Sequence, residues 1–175
     1  RPITGKYYCE FYIVDVGRFS VGIENSKTNP GDQGGVNKNS ILLFYTGQGY
    51  YDSAVHDGYS SSLLSGNIIG VLLDLDSRDV SILIDNQNAG LLNEHVGADK
   101  DVLFQGDMGI FFEDNSSTGM LSAIANFGQD HTFIGEKTDS AGFAPHGTAA
   151  GTPGLFYYQP PEGAKALCTA NLPSF

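Results

Sequence analysis

The chain contains no tryptophan, and it has two cysteines and nine basic residues. The cysteines, Cys9 and Cys168, stand near opposite ends. Spacing alone leaves a bond between them open. Cysteine is commonly a small core residue, so two free, mostly buried thiols are expected. Nine scattered Lys and Arg against twenty Asp and Glu give a net charge of −11. Phosphate binding needs clustered cations, so nucleic acid is excluded as a partner. The acidity favours solubility and would repel anionic cell surfaces. The longest apolar runs are far too short to cross a bilayer as a helix. The first residues do not read as a signal peptide, and the first is not Met. The start, RPITGKYYCEF, falls in the middle of a pattern and reads as a piece of a longer polypeptide.

Chemistry-bearing motifs are scarce too. His56, His95, His131 and His146 have no second His or Cys at a metal-site spacing, so loop histidines are expected and no metal. Asp74-Leu-Asp76-Ser-Arg78-Asp79 superficially resembles a calcium loop. It puts Arg78 at the third ligand position and Asp79 at the turn glycine, so a hairpin turn with solvated carboxylates is expected. A sandwich-fold glycosidase needs two carboxylates across a cleft. Here Glu10, Glu24 and Glu113 fall singly on strands or at their ends, where a solvated face is the default. No Gly-x-Ser-x-Gly elbow exists, and the Gly-rich loops lack Gly-Lys-Ser/Thr. Neither catalysis nor a cofactor is expected. Asn115-Ser-Ser117 fits the N-glycosylation pattern, which has meaning only on a eukaryotic secretory route.

What the chain does have is glycine, at 23 residues, with nine Tyr and eleven Phe. That balance in 175 residues fits one all-β body with many turns. Its organising stretch is GNIIGVLLDLDSRDVSILIDNQNAG, residues 66–90. Ile69, Val71, Leu73 and Leu75 share one face, and Val80, Ile82 and Ile84 share another. Asp76-Ser-Arg-Asp79 between them is turn chemistry. A long antiparallel hairpin is expected, central to a sheet. Its opposite face, with Ile68, Gly70 and Leu72, is also largely apolar, which implies cover on both sides and two stacked layers.

Around it, residues 5–16 alternate, with Tyr7, Cys9, Phe11 and Ile13 on one face. Tyr8, Glu10, Tyr12 and Val14 form an aromatic outer face. Residues 19–24 form a second strand, expected to pair with the first as a hairpin through Gly17-Arg18. Further strands are read at 40–45, within 102–113 and at 120–127. One helical turn is read within 91–100. Residues 136–175 read as an irregular Gly/Pro-rich extension, an extended C-terminal strap on the sandwich or a linker, after a body at 1–135.

Two polar, Gly-rich loops at 25–39 and 46–62 are the candidate binding surface. The residues singled out are Asp32, Gln33, Asn37, Tyr45, Tyr50, Tyr51, Asp52, His56 and Tyr59. Tyrosine offers stacking area and a hydroxyl at low entropic cost, which suits sugars or protein epitopes. The same tyrosines could simply cover a sheet, and the sequence leaves both roles open.

Four landmarks in order resemble a SPRY (B30.2) domain. They are Gly5-Lys-Tyr-Tyr-Cys-Glu-Phe11, Ser20-Val-Gly-Ile23, the 66–85 hairpin, and Ala125-Asn-Phe-Gly-Gln129 followed by Phe133. The resemblance covers 5–133. It implies a bent two-layer antiparallel β-sandwich, a concanavalin A-like jelly roll, that binds partners through loops without catalysis. The family's usual Trp positions carry Tyr7, Cys9 or other residues, Asn67 stands where Asp is common, and its first strands would precede Arg1.

Gln159-Pro-Pro-Glu-Gly-Ala-Lys-Ala-Leu-Cys-Thr-Ala-Asn-Leu-Pro173 resembles a segment that follows SPRY-like modules in virion proteins of tailed bacteriophages. That implies a tail-fibre or surface module in the virion, binding host glycan or protein or other virion proteins. Fibre proteins are often trimeric, although no heptads support that here. An intracellular, cytoplasmic adaptor-type SPRY module that binds a peptide is the alternative, ahead of a glycan hydrolase. A module that only decorates or cements the virion is a further reading.

Overall fold

A computed structural model of the chain describes residues 4–28, 34–115, 121–144 and 155–167. Among the described residues the regular secondary structure is nearly all β, in two sheets. In chain order the strands are β1 (Lys6–Asp15), β2 (Phe19–Asn25), β3 (Ser40–Phe44), β4 (Gly49–Tyr51), β5 (Ala54–His56), β6 (Ile68–Asp74), β7 (Asp79–Ile84), β8 (Gln87–Leu91), β9 (Met108–Asp114), β10 (Ser122–Asn126) and β11 (Ala164–Ala166). A 3-10 turn at Gly97–Asp99 runs into α1 (Lys100–Leu103), a little later than the expected helical turn. The buried Asn25 holds that turn in place. Its amide donates to the carbonyls of Val102 and Leu103 at 2.8 and 3.1 Å, satisfying groups a helix end leaves free.

The chain divides into two compact units: Arg1–Ile13, Gly66–Asn88 and Ala123–Phe175 in the first, Val14–Ser65 and Ala89–Ser122 in the second.

The six-stranded sheet runs β10-β1-β6-β7-β8, with β11 also on β1. The expected hairpin is β6–β7, with Val71 opposite Ile82 and Leu73 opposite Val80. Its turn is closed by the Asp74 carboxylate, which accepts the N–H groups of Asp76 and Ser77 at 3.0 and 3.2 Å. Lys6 pairs with the same carboxylate at 3.3 Å, and Gly5 N–H donates to Asp76. The Asp74 carboxylate of the calcium-like pattern is thus engaged in the turn, and that of Asp76 by Gly5.

Both faces of the hairpin are buried, as its apolar composition requires. Ile69, Val71, Leu73, Val80 and Ile82 are at most 2% exposed. On the opposite face Tyr8, Leu83, Phe156, Ala164 and Ala166 form a cluster with Leu72, and Ile68 packs with Phe133 and Tyr157. The cover on that side is the chain's own segment 155–166, within the stretch read as an extension or linker. Its β11 pairs in parallel with β1 over Lys6–Tyr8. Since β6 occupies one edge of β1 from Lys6 to Tyr12, β11 and β10 share the other.

Two expectations are corrected here. Tyr8 and Glu10 do not form an outer, solvated face: they are 1% and 0% exposed, because this segment lies over them. Nor do β1 and β2 form a hairpin. Both edges of β1 are filled as described, and β2 lies between β3 and β9 in the other sheet. Of the two thiols expected to be free, Cys9 is described: it is free and fully buried, and burial pushes its pKa up. Cys168 lies outside the described residues.

The five-stranded sheet runs β5-β4-β3-β2-β9. Phe19, Val21, Ile23, Ile41 and Leu43 are at most 2% exposed, and Tyr51 is buried with them. The alternate residues of the same strands point to the other face, which carries the candidate site.

Candidate functional site

Strand register decides what this second face presents. Gly22 on β2 stands opposite Leu42 on β3 and Phe111 on β9. Leu42 stands opposite Tyr50, and Tyr50 opposite Val55. One row therefore runs Val55, Tyr50, Leu42, Gly22, Phe111. Two residues along the strands, Ser20 stands opposite both Phe44 and Glu113. The result is an apolar, aromatic floor that ends in a carboxylate.

Above this floor lies a cleft of about 370 Å³, lined by Arg18, Leu42, Phe44, Tyr50, Glu113 and Asn115, with Gly34 to Val36 and Ser53 at its rim. That is within the size range of small-ligand and side-chain pockets. Phe44 sits edge-on to Tyr50, with centroids 5.6 Å apart. At the polar end, Asn115 is fixed: its N–H donates to the Arg18 carbonyl at 2.6 Å, and its side-chain amide to Ser20 Oγ at 2.7 Å.

The two predicted loops meet at this cleft and are tied together. Ser53 N–H donates to the Gly35 carbonyl at 2.9 Å, and Ser53 Oγ to the Val36 carbonyl at 3.0 Å. Gly35 N–H donates to Ser40 Oγ at 2.8 Å. Gly35 has φ +73°, and a Cβ there would lie 2.8 Å from Tyr50 Cβ, so only glycine passes the loop this close to the floor. Lys38 pairs with Asp99 at 2.8 Å and lies 4.0 Å from Asp52. Its pKa is raised, chiefly by the hydrogen bond to Asp99. The described part of the loop is thus pre-organised, which lowers the ordering cost of binding.

Of the residues singled out from sequence, Tyr50 alone among the described ones lines the cleft. Asp32 and Gln33 lie outside the described residues. Asn37 accepts the Asn39 N–H at 2.9 Å and shapes the loop. Tyr45 packs edge-on to Phe44 at 4.7 Å. Asp52 is exposed beside Lys38. Tyr51 and Tyr59 are buried and offer no ring to a ligand. Period two sends Tyr51 to the opposite face from Tyr50. Its hydroxyl is buried without a hydrogen-bond partner among the described residues, and burial, then Asp99 and Asp52, pushes it up to about 12. Tyr59 donates to the Leu92 carbonyl at 3.0 Å, and burial, then Glu94, pushes it up to about 12. His56 stacks on His95 with centroids 4.5 Å apart. Burial and then the neighbouring His95 lower its pKa.

Arg18, Phe44, Glu113 and Asn115 escaped the sequence reading. They sit singly at strand ends, and only the register of Ser20 with Phe44 and Glu113 brings them together. The alternation of Leu42 with Leu43 carried a trace of this second face.

No family model matches the chain, and no curated protein matches it by sequence. Among solved structures, the crystal structure of the SPRY domain of human HERC1 is similar, with a TM-score of 0.56 at 19% identity over 71% of this chain and 76% of that chain. At that identity the likeness shows the fold. The all-β, two-sheet architecture is that of a SPRY-type β-sandwich jelly roll, as the four landmarks implied.

Proposed function

We propose that the chain is a non-catalytic recognition module whose cleft on the five-stranded sheet grips a side chain or sugar of its partner. The observation that carries this reading is the tied pair of loops over a floor of Leu42 and the rings of Phe44 and Tyr50, closed at one end by Arg18, Glu113 and Asn115. An apolar floor supplies affinity, and a few polar groups at one end supply orientation. Glu113 is the one carboxylate among the described residues lining the cleft, whereas paired-carboxylate hydrolysis needs two. Glu10 is sealed among hydrogen-bond donors, and Asp74 and Asp130 hold turns.

The setting we propose is the virion of a tailed phage, with a host surface protein or glycan as partner. The sequence likeness of residues 159–173 supports it. The test is binding of the purified chain to a glycan array and to a peptide array, repeated with Phe44→Ala and Glu113→Gln. Loss of the signal in both variants supports the cleft. Binding that both leave intact removes it, and release of a cleaved sugar removes the non-catalytic reading. A peptide signal with a silent glycan array favours the cytoplasmic adaptor reading, which the mixed charge of the cleft also fits.

A further inference from the structure

Lys137 sets its ammonium over two aromatic rings at once. Its Nζ lies 5.1 Å from the Tyr12 ring centroid and 5.8 Å from that of Tyr157. Both distances are within the reach of cation–π attraction. The backbone delivers the side chain there. Lys137 N–H donates to the Thr132 carbonyl at 2.9 Å. The Asp130 carboxylate takes the N–H groups of Thr132 and Ile134, each at 2.8 Å. Tyr157 is fixed as firmly. Tyr157 is 8% exposed, its N–H donates to Glu10 at 2.9 Å, and Tyr158 packs at right angles to it at 4.7 Å. Asp139, hydrogen-bonded to the Tyr157 side chain, adds negative charge at the rim. Tyr12 and Lys137 are only half-buried, so a ligand can reach the site from solvent.

We propose that Tyr12 and Tyr157 form a binding site for an alkylammonium group, that Lys137 is its resident ligand, and that the site accepts an outside N-methylated ammonium when Lys137 leaves. Ring faces attract cations, and a methylated ammonium is the less strongly hydrated one, so it loses less water on entry. The tethered Lys137 competes at a high effective concentration, so the unaltered chain binds such ligands weakly. The cleft of the five-stranded sheet uses none of these residues, so the two sites stand or fall separately.

The experiment titrates tetramethylammonium chloride into the folded chain, with sodium chloride as the ionic control, and follows tyrosine ring protons by NMR. Lys137→Ala is expected to bind about tenfold more tightly than the unaltered chain, the equivalent of about 1.4 kcal/mol. The shifts should fall on Tyr12 and Tyr157, and adding Tyr12→Leu to K137A should abolish them. Folded K137A without saturable shifts at these rings overturns the proposal, as does binding that survives Tyr12→Leu. Lys137→Gln, which keeps most of the stem, takes the place of K137A if that variant does not fold. In the unaltered chain the Lys137 ε-methylene should resonate upfield of the other lysines, from the ring currents of Tyr12 and Tyr157. An unshifted resonance also overturns the site.

Discussion

Asn126 donates its side-chain amide to the Glu10 carboxylate at 3.2 Å, across 116 residues of chain. The first and last of the four SPRY-like landmarks meet in this bond. The same Glu10 accepts the N–H groups of Tyr157 and Tyr158 at 2.9 and 3.0 Å and the Tyr8 hydroxyl at 3.3 Å. Asn126 in turn donates to the Leu155 carbonyl at 2.8 Å and accepts the N–H of Gly128 and of Gln129. One buried carboxylate and one buried amide thus fasten residues 155–158 to the sheet.

Glu10→Gln keeps the shape but replaces an acceptor oxygen by a donor amide. Donors that met the carboxylate then face another donor. The expected loss is about 2–3 kcal/mol, from buried hydrogen bonds left unmade, read by urea unfolding. The pH dependence has a sign. Burial pushes the Glu10 carboxyl up, against its hydrogen bonds. Its contribution is therefore greatest below the ordinary glutamate range and falls as pH rises through the raised value. E10Q should lack that slope, and an unchanged profile would mean that Glu10 does not titrate in this way.

Gly70 stands opposite Glu10 in the ladder, and the Tyr8 ring lies over it. A Cβ on Gly70 would come within 2.5 Å of the Tyr8 hydroxyl and 2.8 Å of the ring. Tyr8 is 1% exposed and packs against Phe156 at 5.1 Å, so the ring has little room to move. Gly70→Ala should cost about 1–3 kcal/mol through overpacking. Limited proteolysis should then cut the segment around 155–167 faster than in the unaltered chain.

Asp130 holds the backbone at Phe133 and Ile134, which have φ +49° and +61°. The hydrogen bonds from Thr132 and from Ile134 N–H keep its carboxyl below the ordinary aspartate range. A depressed carboxylate contributes above its unfolded pKa, and the contribution is lost as pH falls through the folded value. Asp130→Ala should therefore melt below the unaltered chain at neutral pH. The gap should close as the pH is lowered past the aspartate range in a series of thermal melts.

The His56–His95 stack gives a titration that NMR reads directly. The His56 midpoint should lie below that of an ordinary imidazole, through burial and then the neighbouring His95 charge. His95→Ala exposes the ring and removes that charge, so the His56 midpoint should rise. A midpoint that stays in place would show that the stack has no effect on it.

The hairpin was legible because period two and β-branched residues write a buried strand directly into the chain. Glu10 was not. A lone glutamate in an alternating strand looks solvated, and the donors that bury it come from residues 126, 157 and 158. Tyr50 and Tyr51 show the same limit at the cleft. Their neighbours in sequence are nearly identical, yet one lines the cleft and the other is in the core.

The sequence by itself determined that the chain is β, where its central hairpin turns, and which strand faces are apolar, because side-chain alternation and turn chemistry are local. Only the tertiary structure decided that β1 and β2 part into different sheets, that residues 155–166 cover Tyr8 and Glu10, and that Arg18, Phe44 and Glu113 share a cleft. Each of those depends on which strand edge finds which partner, and that choice is made by packing over long separations in the chain.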